Sequence, residues 1–316
     1  MEKIELTARE KLALVAAAAG RHNVLMYGPR SALLLGEVLP KLLPDLTEGE
    51  AVPVNRIKSL AGYAMREADF GLEPPVRRPH SSASLEGMFG GGLRLLPGEA
   101  SLAHNGLLFL EDAAEFRSCN LQTLRVPMES RSITLSRAGR TTTYPADFQL
   151  AMAMSPCPCG NLGSKDRVCF CSAKGVGLYW KKAEPVLERV EIIVDLFEEE
   201  GKERGACAIE DLRAEVANAV RTQRKRTHGL RNARLAPEYM EQTLGMDDDA
   251  ANLLDRMTEE NGWSARRKAE VAKVARTLAD LADCDSVMES HLMTAEGLFG
   301  KLPAEKFGLQ AEGPEE

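Results

Sequence analysis

Hydrophobic positions follow two regimes along this chain. Up to about residue 196, short apolar runs at Asn23–Tyr27, Gly106–Leu110, Arg131–Leu135, Phe148–Met154 and Ile192–Leu196 alternate with helical stretches, each bounded by Gly, Pro or polar residues. This is the pattern of an α/β fold with a mostly parallel sheet. Residues 5–20 are strong helix formers that stop at Gly20, which predicts a helix feeding the first strand. Beyond Leu196 the strand signals vanish, and amphipathic spacing over 209–228, 236–244, 248–261, 264–282 and 286–299 predicts an all-helical second domain. The expected division is an α/β core over 1–196 and a small helical lid over 197–300. Residues 74–97, with Gly90-Gly91-Gly92, are expected to form a long functional loop or hairpin insert. Residues 301–316 hold two prolines, two glycines and four glutamates, and read as a disordered tail.

Composition narrows the class. The 316 residues are 44% hydrophobic and 28% charged, enough for a full core and two domains. No uncharged apolar run is long enough to span a bilayer and no signal peptide is visible, so a cytoplasmic protein without membrane contact is expected. A net charge of −7 argues against broad non-specific nucleic-acid binding while allowing a local basic surface. Seven cysteines make an odd number for a disulfide framework. Four of them form a Cys-x-Cys, nine-residue, Cys-x-Cys pattern: Cys157, Cys159, Cys169 and Cys171. Four thiolates gathered by a turn suit tetrahedral Zn²⁺, in a closed structural site rather than a catalytic one. Pairs of reduced thiols, a redox-labile pair or an Fe–S cluster are the other readings. Cys119, Cys207 and Cys284 stand alone and read as packing residues.

The most informative segment is His22–Leu35, a buried strand running into a helix through a turn placed like a phosphate-binding loop. Such a loop needs glycines whose N–H groups converge on phosphate, a Lys for the outer phosphates and a Ser/Thr hydroxyl for Mg²⁺. The last two places hold Leu34 and Leu35. An ordinary strand-to-helix turn is the competing reading.

Several segments together resemble the magnesium chelatase-like AAA+ ATPases of the YifB/ComM type. They are Gly20–Leu25, Pro97–Glu99 with Ser101–Gly106, Leu108–Phe116, Leu124–Glu129, Ser136–Ala138, Pro156–Gly160, Ser264–Arg266 and Val274–Leu281. The resemblance implies a ring-forming ATPase module and, for the ComM branch, a motor on branched DNA. It also implies an N-terminal domain in most members, whereas this chain opens at the ATPase core. Against the family's Gly-Pro-Pro-Gly-x-Gly-Lys-Thr turn, only Gly28 and Pro29 match; Arg30, Ser31 and Leu33 replace the rest of the loop, and Leu34 removes its cation. The second acidic motif is reversed, Glu111 standing where an Asp holds Mg²⁺ and Asp112 where a Glu orients water. Ser155 replaces the sensor Asn. Arg189 matches the arginine offered to a neighbouring subunit's nucleotide, and Arg266 the second sensor; a structural salt bridge is the plainer role for each.

Arg221–Arg226 with His228, Arg231 and Arg234 is the densest basic patch, and reads either as a phosphate contact or as a solvated helix face. Arg77-Arg78-Pro79-His80 beside the glycine-rich insert is the better candidate for DNA. The combined expectation is a degenerate AAA+ subunit, impaired in ATP hydrolysis, that assembles as a homo-oligomer or joins a mixed ring with an active paralogue. Zn²⁺ is its expected metal, ATP with Mg²⁺ the nucleotide that the altered loop argues against, and DNA a further partner. A residually active DNA motor and a zinc-stabilised nucleic-acid module without nucleotide are the alternatives.

Overall fold

A computed structural model describes residues 2–63, 71–227, 229–236, 243–300 and 302. The expected helix over 236–244 falls mostly outside the described residues, as do His228 and, apart from Leu302, the tail over 301–316. The chain opens with β1 (Lys3–Leu6) and α1 (Ala8–Gly20). Thr7 accepts the Glu10 N–H at 3.1 Å while Glu10 accepts the Thr7 N–H at 2.9 Å, a reciprocal cap that starts the helix at Ala8 rather than at residue 5. The left-handed residue closing the helix is Arg21, not Gly20. Gly20 is needed for room, since a Cβ there would lie 2.2 Å from the His22 ring.

After β2 (Val24–Tyr27) the chain turns into α2 (Ser31–Leu33), widens into a π-helical turn (Leu34–Val38) and ends the run as α3 (Leu39–Leu42). Then follow α4 (Glu48–Leu60), β3 (Val76–Arg77), α5 (Leu85–Phe89), β4 (Gly90–Gly91), β5 (Leu96–Pro97), α6 (Glu99–Leu102) and β6 (Leu107–Leu110). Next come α7 (Ser118–Ser130), β7 (Ser132–Arg137), β8 (Arg140–Pro145), β9 (Gln149–Met154), α8 (Ala173–Leu187) and β10 (Ile192–Asp195). The remainder is β11 (Gly205–Ala208), α9 (Ile209–Arg226), α10 (Asp248–Asn261), α11 (Ala265–Leu281) and α12 (Glu289–Phe299).

The architecture is α/β, with a five-stranded parallel sheet in the order β10-β2-β9-β6-β3 and a helical C-terminal region. Every residue of β2, β6, β9 and β10 is buried, which explains their near-continuous apolar sequences. Three expectations need correction. The apolar run Arg131–Leu135 is not a core strand: β7 pairs only with β8 in a separate hairpin, because its side chains alternate and only Ile133 is buried. Strand structure does not end at Leu196, since β11 pairs antiparallel with β1. The 74–97 segment is not all insert: Val76 and Arg77 form the sheet's edge strand, and only the β4–β5 hairpin behind it is additional.

The chain divides into two compact units. One comprises Met1–Val24, Lys41–Pro44 and Glu191–Lys301, the other Leu25–Pro40, Asp45–Val190 and Leu302–Glu316. In the first, α1 packs on α9 and α11, and α11 on α12. Its centre is polar as well as apolar. Arg276 is fully buried, with Nε 3.0 Å from Asp280 Oδ1 and its remaining N–H groups on the carbonyls of Leu244, Cys284 and Asp285. In the second, the parallel strands carry α7 and α8, and the loops at their carboxyl ends hold the candidate site.

Candidate nucleotide site and four-cysteine centre

The turn after β2 is held by its own backbone. Gly28 takes a positive φ of 114° and donates its N–H to the Met154 carbonyl at 3.1 Å, tying the turn to β9. Ser31 is buried and gives its hydroxyl to the Gly28 carbonyl at 3.0 Å. Pro29 and Arg30 are exposed, and Arg30 adopts a left-handed φ of 66°. Where a Lys and a Thr would face phosphate, Leu34 and Leu35 are 0% exposed and belong to the core. The Arg78 guanidinium donates to the Gly36 carbonyl, within the π-helical turn that Leu34 opens, while lying 5.6 Å from the Phe109 ring centre. Arg77 is likewise engaged, forked onto Glu99 at 2.6 and 2.7 Å. Both arginines of the pair singled out as a DNA contact thus have partners within the fold, although Arg78 remains exposed.

Glu111 and Asp112 leave the end of β6 into solvent, and Asp112 is left-handed, with φ 49°. Ser155, just past β9, is half-buried. Tyr179 was not among the residues expected at the site. Its phenol is pushed above its ordinary range, first by burial and then by the charges of Asp112 and Glu115, against a hydrogen bond from the Ser155 backbone. Tyr179 thus stands among the carboxylates and the sensor position, and the only sequence hint was an aromatic pair, Tyr179-Trp180, on an amphipathic helix.

The cysteine loop leaves the same strand end. Sγ separations are 3.4 Å for Cys157–Cys159, 3.7 Å for Cys157–Cys169 and 3.6 Å for Cys159–Cys169, and all four ligand atoms, including that of Cys171, lie within 4.8 Å of one another. A zinc tetrahedron with bonds of about 2.3 Å has edges of about 3.8 Å, whereas a disulfide would bring two sulfurs to about 2.05 Å. The Leu162 N–H donates to Cys157 Sγ at 3.4 Å. The Asn161 N–H, with further help from Cys157 and Cys171, holds the Cys159 thiol down to about 6. Cys169 is pushed up to about 12: the Cys171 N–H lowers it, but burial and the Cys159 and Cys157 thiols raise it more. One thiolate among neighbouring thiols is the protonated counterpart of a cluster that a divalent cation would empty of protons. The residues present fit zinc.

Residues 1–204 match the family model described as "Magnesium chelatase, subunit ChlI", and residues 208–298 match that of its C-terminal region. The chain belongs to the magnesium chelatase ChlI family. It is similar to Competence protein ComM of Haemophilus influenzae, 34% identical over 298 residues, 91% of this chain and 57% of that protein. It is also 35% identical to YifB of Escherichia coli over 293 residues, 90% of this chain and 57% of that protein. This ChlI-family chain thus spans about half the length of the curated relatives it matches. A full-length MCM homolog from Methanopyrus kandleri overlays it with a TM-score of 0.49 at 15% identity, covering 92% of this chain and 53% of that one.

The two arginines that the ChlI-family likeness singled out have partners of their own. Arg189 is 4% exposed, bonded to Glu129, with Nη1 3.0 Å from the Pro185 carbonyl. It is turned into its own unit rather than presented outward. Arg266 pairs with Glu270, Nε to Oε1 at 2.7 Å, one helical turn along α11. The segment Gly20–Leu25 proves structural too. His22 is buried with Nε2 2.8 Å from Thr277 Oγ1, and burial, with Lys273 and Arg234 nearby, lowers its pKa to about 3, so it is neutral. Among the described residues no helix is long and apolar enough to cross a membrane.

Proposed function

We propose that this ChlI-family AAA+ chain does not hydrolyse ATP and serves as an assembly or regulatory subunit of a ring, with zinc fixing the loop after β9. The observation that carries this reading is the complete burial of Leu34 and Leu35 at the places where a phosphate site needs a cation and a hydroxyl. The exposed, order-reversed pair Glu111 and Asp112 adds to it, since carboxylates displaced by about an ångström lose most of their catalytic value. Arg189 would act on a neighbour's nucleotide only after leaving Glu129, so its present role is to hold α7 to α8. The four thiolates would hold Zn²⁺, which supplies rigidity and no chemistry. The name of the ComM relative, a competence protein, makes DNA handling the process in which such a subunit would serve. Calorimetric titration of the zinc-loaded protein with Mg·ATP, paired with a phosphate-release assay, tests the reading. No heat of binding up to millimolar nucleotide and no turnover is the expected result; micromolar affinity with turnover would overturn it.

A further inference from the structure

Phe170 is 87% exposed, the most exposed of the large apolar side chains among the described residues, and Val168 beside it is 69% exposed. Phe170 stands between Cys169 and Cys171, whose sulfurs both turn to the cluster, so a metal bound there would hold the ring outward. The chain then enters α8 through its Ser172 cap. Lys174, Leu178 and Lys181 follow at the i, i+4, i+7 spacing of one helical stripe, and all three are exposed. Lys174 and Lys181 lie about 10 Å apart along the helix.

Positive charge collects along this path. Residues 165–182 carry five cations, Lys165, Arg167, Lys174, Lys181 and Lys182, and one carboxylate, Asp166, a net charge of +4 in a chain of −7. None of the five cations has an ion pair among the described residues. Carboxylates frame the path: Asp112 and Glu115 lie by Tyr179, which is on a different stripe of α8, and Glu184 and Glu188 lie farther along the helix. Between them, with Asp166 counted, the excess is positive.

A projecting ring on a line of unpaired cations suits a chain molecule that offers flat apolar faces and repeated negative charges, as a single-stranded nucleic acid does. A duplex keeps its base faces stacked inside. A lipid surface is the poorer match. Because α8 turns Val176, Trp180, Ala183 and Leu187 into the core, little beyond Val168, Phe170 and Leu178 would remain to enter a bilayer, short of the broad apolar face of an interfacial helix. We propose that the cysteine loop and the first turns of α8 form a contact for single-stranded nucleic acid, with Phe170 stacked on an unpaired base and Arg167, Lys174 and Lys181 on phosphates. The proposal rests on the zinc and DNA readings above and is independent of whether ATP binds.

The test is fluorescence anisotropy of a labelled oligothymidine titrated with the zinc-loaded chain at several salt concentrations, without nucleotide. Wild type is expected to bind the single strand more tightly than a duplex of the same length, and to ignore phosphatidylserine vesicles. Phe170→Ala is expected to weaken binding roughly tenfold with the salt dependence unchanged. Lys174→Gln with Lys181→Gln is expected to weaken it by a similar factor and to flatten the logarithmic salt slope by about 1.4, since each neutralised phosphate contributes about 0.7. Arg221→Gln with Lys225→Gln, in the basic patch of α9, is expected to change nothing. A zinc-loaded wild type that does not bind, that prefers duplex or vesicles, or whose binding survives the Phe170 and lysine changes would overturn the contact. Binding that persists in a chain shown by metal analysis to take up no zinc would overturn the zinc reading alone. The lysine variant leaves the cysteine loop untouched, so the contact stays testable even if Phe170→Ala loses zinc.

Discussion

The turn after β2 and the cysteine loop after β9 leave neighbouring strand ends of one sheet, yet they are built in opposite ways. The turn is held by packing. It runs from a buried strand through a positive-φ glycine into a helix, and Leu34 and Leu35 at its helical end lie in the core. The loop carries four clustered thiols and little core of its own. Over 157–171 only Cys157 is buried, and four cysteine sulfurs gather where apolar side chains pack elsewhere. A strand-to-helix turn can trade function for packing because Leu34 and Leu35 gain what a charged Lys would forgo. A loop without a core has no such exchange, since removing its ligands leaves nothing to fold around.

The largest effect should come from the metal. Cys157→Ser, or a strong chelator on the wild type, is expected to abolish zinc stoichiometry and lower stability by about several kcal/mol, read by metal analysis and thermal unfolding. A full-stability apo protein would erase the contrast between loop and turn. Next in size is Leu34. Restoring a lysine there, Leu34→Lys, buries a charge and is expected to cost about 4 kcal/mol or more without creating ATP affinity. Burial lowers the folded-state pKa of that lysine, so the penalty is full below that lowered pKa and fades as pH rises toward about 10.4, the unfolded value. Leu34→Ala should cost about 2–5 kcal/mol as a plain cavity, measured by denaturant unfolding. A stabilised, nucleotide-binding Leu34→Lys would show the turn to be a dormant site rather than core. The smallest effect is expected at the acidic pair: Glu111→Ala with Asp112→Asn should shift stability by no more than about 0.5 kcal/mol, with or without Mg²⁺. A Mg²⁺-dependent shift lost in that variant would return the carboxylates to a metal-binding role.

Much of the sheet was legible because β2, β6, β9 and β10 are buried on both faces and so read as uninterrupted apolar runs. The β7–β8 hairpin was not. Along β8, Arg140–Pro145 reads Arg-Thr-Thr-Thr-Tyr-Pro, with one buried residue, Tyr144, whose hydroxyl reaches the Leu95 carbonyl at 2.8 Å. One half-buried face defined by a contact 49 residues away leaves no local period. The end of β1, Glu5 and Leu6, was taken into the expected helix because both are good helix formers, and the pairing of β1 with β11 is set from a distant part of the chain. At the site, the four cysteines were readable from spacing alone, since ligand chemistry is written in residue type. The engagement of Arg189 with Glu129, and of Arg78 with the Gly36 carbonyl, was not: an arginine's sequence neighbours do not tell which carbonyl or carboxylate it will meet.

Trp180 joins both regions. Its indole N–H bonds the Pro156 carbonyl at 2.8 Å, one residue before the first cysteine, and its ring meets Tyr27 edge-on at 5.5 Å, one residue before the turn. The chain has only two tryptophans. With Trp263 replaced by Phe, the remaining emission becomes a built-in optical gauge, registering from one position both metal release on one side and any rearrangement of the turn on the other.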